Sequence, residues 1–173
     1  MLTAERVIAL LGLAPLPEEG GHFHETYRAD ELIAREGLPA RYTGSRPHGS
    51  AIYYLLRAEM FSALHRLQSD EIYHFYLGQP VEMLLLHPDG RDETLILGSD
   101  IEAGQRVQVV VPRGVWQGSR LAKPTTPEGF ALLGTTMAPA YDQEDFELGR
   151  RESLLAAYPQ RAELIRALTA DRT

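Results

Sequence analysis

The chain has 173 residues and no cysteine, which excludes thiol catalysis, disulfide staples and thiolate zinc sites. Its 17 Lys and Arg against 24 Asp and Glu give a formal net charge of −7, a balance that repels a phosphate backbone and argues against nucleic acid as a partner. The longest apolar runs, Met83 to Leu86 and Val109 to Pro112, fall far short of the roughly 20 residues of a membrane span, and a chain of this length can bury one core without a metal or disulfide.

Thr3 is placed to cap a helix to about Leu11, with Val7, Leu10 and Leu11 as its apolar stripe and Gly12 as its stop. Pro15 to Gly21 reads as a loop. Phe23 to Arg28 reads as a strand with Phe23, Glu25 and Tyr27 on one face. Asp30 to Glu36 is expected to form one or two helical turns, and Gly37 to Gly49 is irregular. From there the period becomes two. Strands are predicted over Ser50 to Arg57, Met60 to Leu67, Glu71 to Leu77, Val81 to His87 and Asp92 to Leu97, the last two joined at Pro88-Asp89-Gly90. Gln105 to Val111, Trp116 to Leu121 and Phe130 to Met137 follow. Residues 151–157 and 160–169 read as two short helices. Seven to nine short strands spaced by about ten residues, with helices only at the ends, predict an all-β sandwich or barrel; parallel βα units would need a helix after each strand. The start of the chain lacks the basic-then-apolar order of a signal peptide, and with the absence of cysteine this leads to an expectation of a cytoplasmic protein.

The run His65-Arg66-Leu67, then Glu71 and Gly78, resembles the first motif of the cupin superfamily, with Leu67 where a second histidine is usual. Gly104, Pro112-Arg113-Gly114 and Gln117 resemble the second motif, with Gln117 where a histidine is usual. Pro17-Glu18-Glu19-Gly20-Gly21, Ile52 to Leu56, Ser69-Asp70-Glu71, Val111 to Gln117 and Asp145-Phe146-Glu147-Leu148 together resemble the cupin-5 family across nearly the whole chain. That resemblance implies the jelly-roll double-stranded β-helix barrel of the dTDP-sugar 3,5-epimerases (RmlC-like), with short helices at both termini, a homodimer, and no settled reaction. It divides a single cupin domain, 1–173, into an N-terminal helix, loop and strand (1–48), a core barrel (49–138) and a helical tail (139–173).

The same pattern points His65 and Glu71 into one open, ligand-sized cavity. A carboxylate beside an imidazole can fix its tautomer and support proton transfer, so His65 is the candidate base, Glu71 its orienting partner and Tyr73, two residues on, the third candidate catalytic residue. Gln117, Trp116, Tyr54, Tyr27 and Arg113 are candidate ligand contacts: flat walls for a sugar-like small molecule, an amide to bond it, and an arginine at the rim for an anionic group. In the related epimerases a tyrosine acts as acid opposite the histidine; the sequence does not identify its match. Cofactors are left open. A divalent metal would take His65, Glu71 and Gln117, a set short of one imidazole. A surface clip at His22 and His24 is weighed and set aside. Two non-isomerase readings stand beside the first: a non-enzymatic metabolite-binding or sensing dimer, and a metal-dependent cupin with a reduced ligand set.

Overall fold

The structure, a computed structural model, describes residues 2–124, 126 and 128–170. Helix α1 (Ala4–Leu11) begins where the Thr3 hydroxyl accepts the Arg6 N–H at 3.3 Å. Thirteen strands follow: β1 (Ala14–Pro15), β2 (His22–Arg28), β3 (Leu32–Ile33), β4 (Arg46–Pro47), β5 (Ser50–Arg57), β6 (Phe61–Arg66), β7 (Glu71–Gly78), β8 (Val81–Leu86), β9 (Asp92–Leu97), β10 (Gln108–Val111), β11 (Trp116–Leu121), β12 (Phe130–Met137) and β13 (Glu147–Leu148). Helices α2 (Arg151–Ala157) and α3 (Ala162–Ala167) close the chain.

A six-stranded sheet has the order β1-β2-β5-β12-β7-β10 and a five-stranded sheet the order β13-β6-β11-β8-β9; every strand pair in them is antiparallel. From β5 onward the chain crosses repeatedly between the two sheets, so strands distant in sequence become neighbours. The alternation of apolar residues explains the layers. In β8, Val81, Met83 and Leu85 face the core between the sheets, with Tyr54, Leu56, Val109, Val111 and Leu133. Leu84 and Leu86 face the other way, onto Leu154, Tyr158, Ile165 and Leu168 of the C-terminal helical segment. Helix α1 lays Ala4 and Val7 against Leu55 and Leu132 of the six-stranded sheet.

Three elements differ from expectation. Residues 30–36 form no α-helix: Leu32–Ile33 pairs with Arg46–Pro47 and Arg35–Gly37 is a 3₁₀ turn, since seven residues cannot sustain a helix without tertiary packing. The strand predicted from Gln105 begins at Gln108, because Arg106 instead bridges in parallel to Leu97. The last helix is a 3₁₀ turn, Pro159–Arg161, followed by Ala162–Ala167.

The crossing from β12 to β13 is pinned by one ion pair. The Arg46 guanidinium donates through Nε and Nη2 to the two oxygens of Asp145, both at 2.8 Å, and the side chains are 2% and 3% exposed. Removing Asp145 takes both hydrogen bonds from a buried guanidinium and leaves it only the exposed Glu144 carboxylate, 3.6 Å from Nη2. Asp145→Ala is therefore expected to cost about 3–5 kcal/mol by chemical denaturation. Glu147→Ala, which breaks the exposed pair with Arg66, is expected to cost about 0–1 kcal/mol. Equal losses would contradict the assignment.

Candidate functional site

The inward faces of β6, β7 and β11 carry polar side chains into the core. Parity puts Glu71 and Tyr73 on one face of β7, and Gln117 and Ser119 on one face of β11. Gln117 pairs with His65 across the β6–β11 ladder, and Ser119 pairs with Ser62. The register slips between these pairs, so β6 spends two residues, Ala63 and Leu64, opposite Gly118. Without that bulge Ser62 and His65, three apart, would face opposite ways. Gly118 suits the position, for a Cβ there would lie 3.0 Å from Leu64 Cγ.

A loop supplies the second carboxylate. Glu18, Gly20 and Gly21 have φ of 65°, 100° and 76°. A Cβ on Gly20 would fall 2.4 Å from the Phe61 carbonyl oxygen, and one on Gly21 would fall 2.8 Å from the Tyr54 hydroxyl. Only glycine combines that backbone with that approach. The result is Glu19 laid over β6. Its carbonyl accepts the Ala63 N–H at 2.7 Å, its Oε1 accepts the Ser62 hydroxyl at 2.7 Å, and its Oε2 stands 4.0 Å from His65 Nε2.

His65 donates through Nδ1 to the Ala63 carbonyl at 2.7 Å, which leaves the Nε2 lone pair turned toward Glu19 in the neutral ring. Phe146 stacks on the imidazole with centroids 5.2 Å apart. Gln117 donates through Nε2 to Glu71 Oε2 at 2.7 Å. Its other amide atom, Oε1, and the Ser119 hydroxyl are buried with no hydrogen-bond partner. The Tyr54 hydroxyl donates to the Gly20 carbonyl at 3.0 Å, and the Tyr73 hydroxyl lies beside the Glu71 carboxyl. At the rim, the Tyr141 hydroxyl donates to Gln143 Oε1 at 2.8 Å.

Burial raises the phenols of Tyr54 and Tyr73 well above their ordinary range, and Glu19 and Glu71 add to the effect. Tyr141 is raised by burial first and then by the same two carboxylates. Glu71 is also raised by burial, against the pull of His65 and of hydrogen bonds from Thr135 and Gln117, while Glu19 pushes it further up.

The predicted residues divide. His65, Glu71, Tyr73, Tyr54 and Gln117 come together. The imidazole's nearer carboxylate is Glu19, and its tautomer is fixed by Ala63 rather than by Glu71. Trp116 cannot share the face of its neighbour Gln117; it packs with the cluster of Leu84 and Leu86 beneath the Arg66 guanidinium, 4.4 Å from the ring centroid. Tyr27 is 58% exposed, after a register shift between Glu25 and Tyr27. Arg113 is exposed in the turn before β11, where its backbone N–H donates to Asp70. The cluster is enclosed rather than open: His65, Glu71 and Gln117 are 2%, 7% and 1% exposed, and the surface grooves, such as one of about 500 Å³ beside α1, are lined by other residues. Sequence reasoning missed Glu19, Tyr141 and Phe146 as site residues; the Glu19-Gly20-Gly21 run was the one available signal.

A divalent ion does not fit the donors present. Leu67, buried, stands where a second imidazole would be needed, and one Glu71 oxygen already accepts the Gln117 amide. Among the described residues no three His, Cys, Asp or Glu side chains converge on a metal position. Nor, among those residues, is any helix long and apolar enough to cross a membrane.

Comparison with known proteins places these features in a wider set. The family model described as Cupin_5, cupin superfamily (DUF985), matches residues 5–149. The crystal structure of protein SO0799 from Shewanella oneidensis is 34% identical, with a TM-score of 0.86 over 99% of this chain and 100% of that one. A hypothetical protein from Leishmania major is 30% identical, with a TM-score of 0.84 over 98% and 100%. The uncharacterized protein YML079W of Saccharomyces cerevisiae is 28% identical over 132 residues, which span 73% of this chain and 66% of that protein. Oxalate decarboxylase of Bacillus subtilis, at 14% identity and a TM-score of 0.53 over 92% of this chain and 38% of that one, shares the fold alone.

Because the folded state holds Glu71 above the 4.5 of an ordinary glutamate, the unfolded chain releases this proton first as pH rises. Stability is full below that ordinary value and falls as pH climbs from it through the raised folded pKa. Glu71→Gln is expected to flatten this decline, read as the urea midpoint against pH. Parallel profiles for wild type and variant would contradict the burial of a titrating carboxyl here.

Proposed function

The chain belongs to the Cupin_5 (DUF985) family of the cupin superfamily, and on that premise we propose that it binds a small sugar-like or carbonyl compound in the interior cluster and moves a proton on it as an isomerase or epimerase. The observation that carries the reading is the state of His65. With Nδ1–H given to Ala63, the neutral ring offers Nε2 as a base, inside a polar cluster that leaves Gln117 Oε1 and Ser119 Oγ unbonded.

In this mechanism Nε2 takes the proton from the carbon next to the substrate carbonyl. The C–H electron pair moves into a new C=C bond, and the carbonyl electrons go to oxygen as an enediolate. A phenol returns a proton to the carbon, the carbonyl re-forms, and solvent carries the base's proton back to the phenolate. Tyr141 is assigned as this acid on its place: its half-buried phenol lies close enough for Glu19 and Glu71 to act on it. Tyr73, tied to Glu71, and Gln117 contact the ligand. Glu19 steadies the imidazolium formed at His65. Tyr54 walls the cluster.

The crossing of the chain between the sheets supports reading them as a jelly-roll barrel in one cupin domain over 1–173, with 1–48, 49–138 and 139–173 as its arm, barrel and tail. A cytoplasmic homodimer belongs to the same proposal, supported by Tyr76 and Val110, which stand 49% and 52% exposed in the six-stranded sheet. The enclosure of His65 favours a second reading, a metabolite-binding protein that performs no reaction.

Exchange in D₂O separates the two. Incubation with reducing sugars is expected to place deuterium on the carbon next to the carbonyl, and His65→Gln is expected to slow this by roughly 10²–10⁴-fold, the span of a lost general base. Exchange unchanged in the variant would overturn the base assignment, and a bound ligand that never exchanges would select the second reading.

A further inference from the structure

The cluster that holds His65 also carries a charge pattern that selects among ligands. Two carboxyls, the buried Glu71 and the partly exposed Glu19, come to the cluster from different elements. The strongest charge effects on Glu71, Tyr73, Tyr54 and Tyr141 come from carboxylates, one neighbouring phenol and His65. Three guanidiniums of neighbouring elements are engaged elsewhere, while Arg150 and Arg151 line a separate groove with Glu18 and Ala63. Arg46 is spent on Asp145, and Arg28 donates to Glu25 and to the Tyr141 carbonyl. Arg66 pairs with Glu147 beyond the five-stranded sheet.

The unbonded atoms point the same way. Gln117 gives one amide N–H to Glu71, and its acceptor, Oε1, is left without a partner. Ser119 Oγ accepts or donates. Both residues are 1% exposed, and a buried acceptor without a donor carries a desolvation cost that a ligand hydroxyl would remove. A phosphate or carboxylate group adds negative charge to the compound that carries it, and that charge would face the carboxyls of Glu19 and Glu71.

Resting on the reading that a small molecule occupies this site, we infer that its ligand is an uncharged hydroxyl donor, a free sugar or polyol, which donates to Gln117 Oε1 and Ser119 Oγ, and that phosphorylated and carboxylated compounds are excluded. The exposed Arg113 is not the anion contact expected from the sequence, and nothing in the cluster replaces it.

The test is a binding titration of the intact protein with matched compounds: free hexoses and pentoses, their monophosphates, their uronic acids, and inorganic phosphate alone. Binding is followed by the side-chain amide resonances of Gln117 and the imidazole resonances of His65. A free sugar is expected to shift both, and adding a phosphate or carboxylate to the same sugar is expected to weaken binding by about tenfold or more, the factor that 1.4 kcal/mol represents. Glu19→Gln is expected to narrow that discrimination, since it removes one charge while keeping an oxygen for Ser62. The proposal is overturned if inorganic phosphate or a phosphate ester shifts these resonances at lower concentration than its uncharged parent, or if no uncharged member shifts them at all. Binding of a neutral sugar without deuterium exchange would overturn the isomerase reading and leave this one standing.

Discussion

Glu19 reaches the interior because four residues of backbone take a path few sequences can follow. Glu18 sits in left-handed conformation, and Gly20 and Gly21 carry positive φ at points where any side chain would strike β5 or β6. A glutamate costs free energy when it leaves water, and here the cost is offset by the Ser62 hydroxyl and by the imidazole of His65. Burial is the first cause that raises Glu71, Tyr54 and Tyr73, and the Glu19 carboxyl adds to it in each. Nε2 of His65 then faces a carboxylate rather than a hydrocarbon wall.

Two further constraints close the site around that loop. The β6 bulge opposite Gly118 turns Ser62 and His65 to the same side. The Arg46–Asp145 pair holds the segment after β12, which bears Tyr141 and Phe146, against the sheets. Phe146 lies over the imidazole as a direct consequence of being Asp145's neighbour. A buried ion pair contributes little net stability, because desolvation consumes most of its Coulomb gain, but it tolerates few alternative positions. Its place one residue before the ring that covers His65 fits a role in fixing the position of the segment between β12 and β13 rather than in adding stability.

Much of the sheet framework could be read from the chain because alternation is a strong signal wherever one face is buried. The strands Trp116–Leu121 and Phe130–Met137 run as their patterns predict; parity puts Glu71 and Tyr73 on one face, and the resemblance to the cupin motifs points Gln117 to the same place. The same rule separates Trp116 from Gln117, so that residue's outward packing was available from its neighbour's assignment. Other features lay outside periodicity. A bulge changes parity in mid-strand without a mark of its own, which hid the alliance of Ser62 with His65 and moved Tyr27 to the surface. Tyr141 and Phe146 sit in a segment without repeat, placed by an ion pair to Arg46, 99 residues from Asp145 in sequence. Glu19 was marked only by the two glycines behind it.

The proposed function requires the interior cluster to be a place built for a guest and not a set of polar groups sealed into a core. A crystal structure of the protein, purified without added ligand and resolved well enough to show ordered water, tests this most directly. The account predicts density between Gln117 Oε1, Ser119 Oγ and His65 Nε2, either a small molecule or a water held by at least two of them. If Gln117 and Ser119 were instead bonded to protein atoms, with their side chains filling the space before His65, the cluster would be structural and the functional reading would fail.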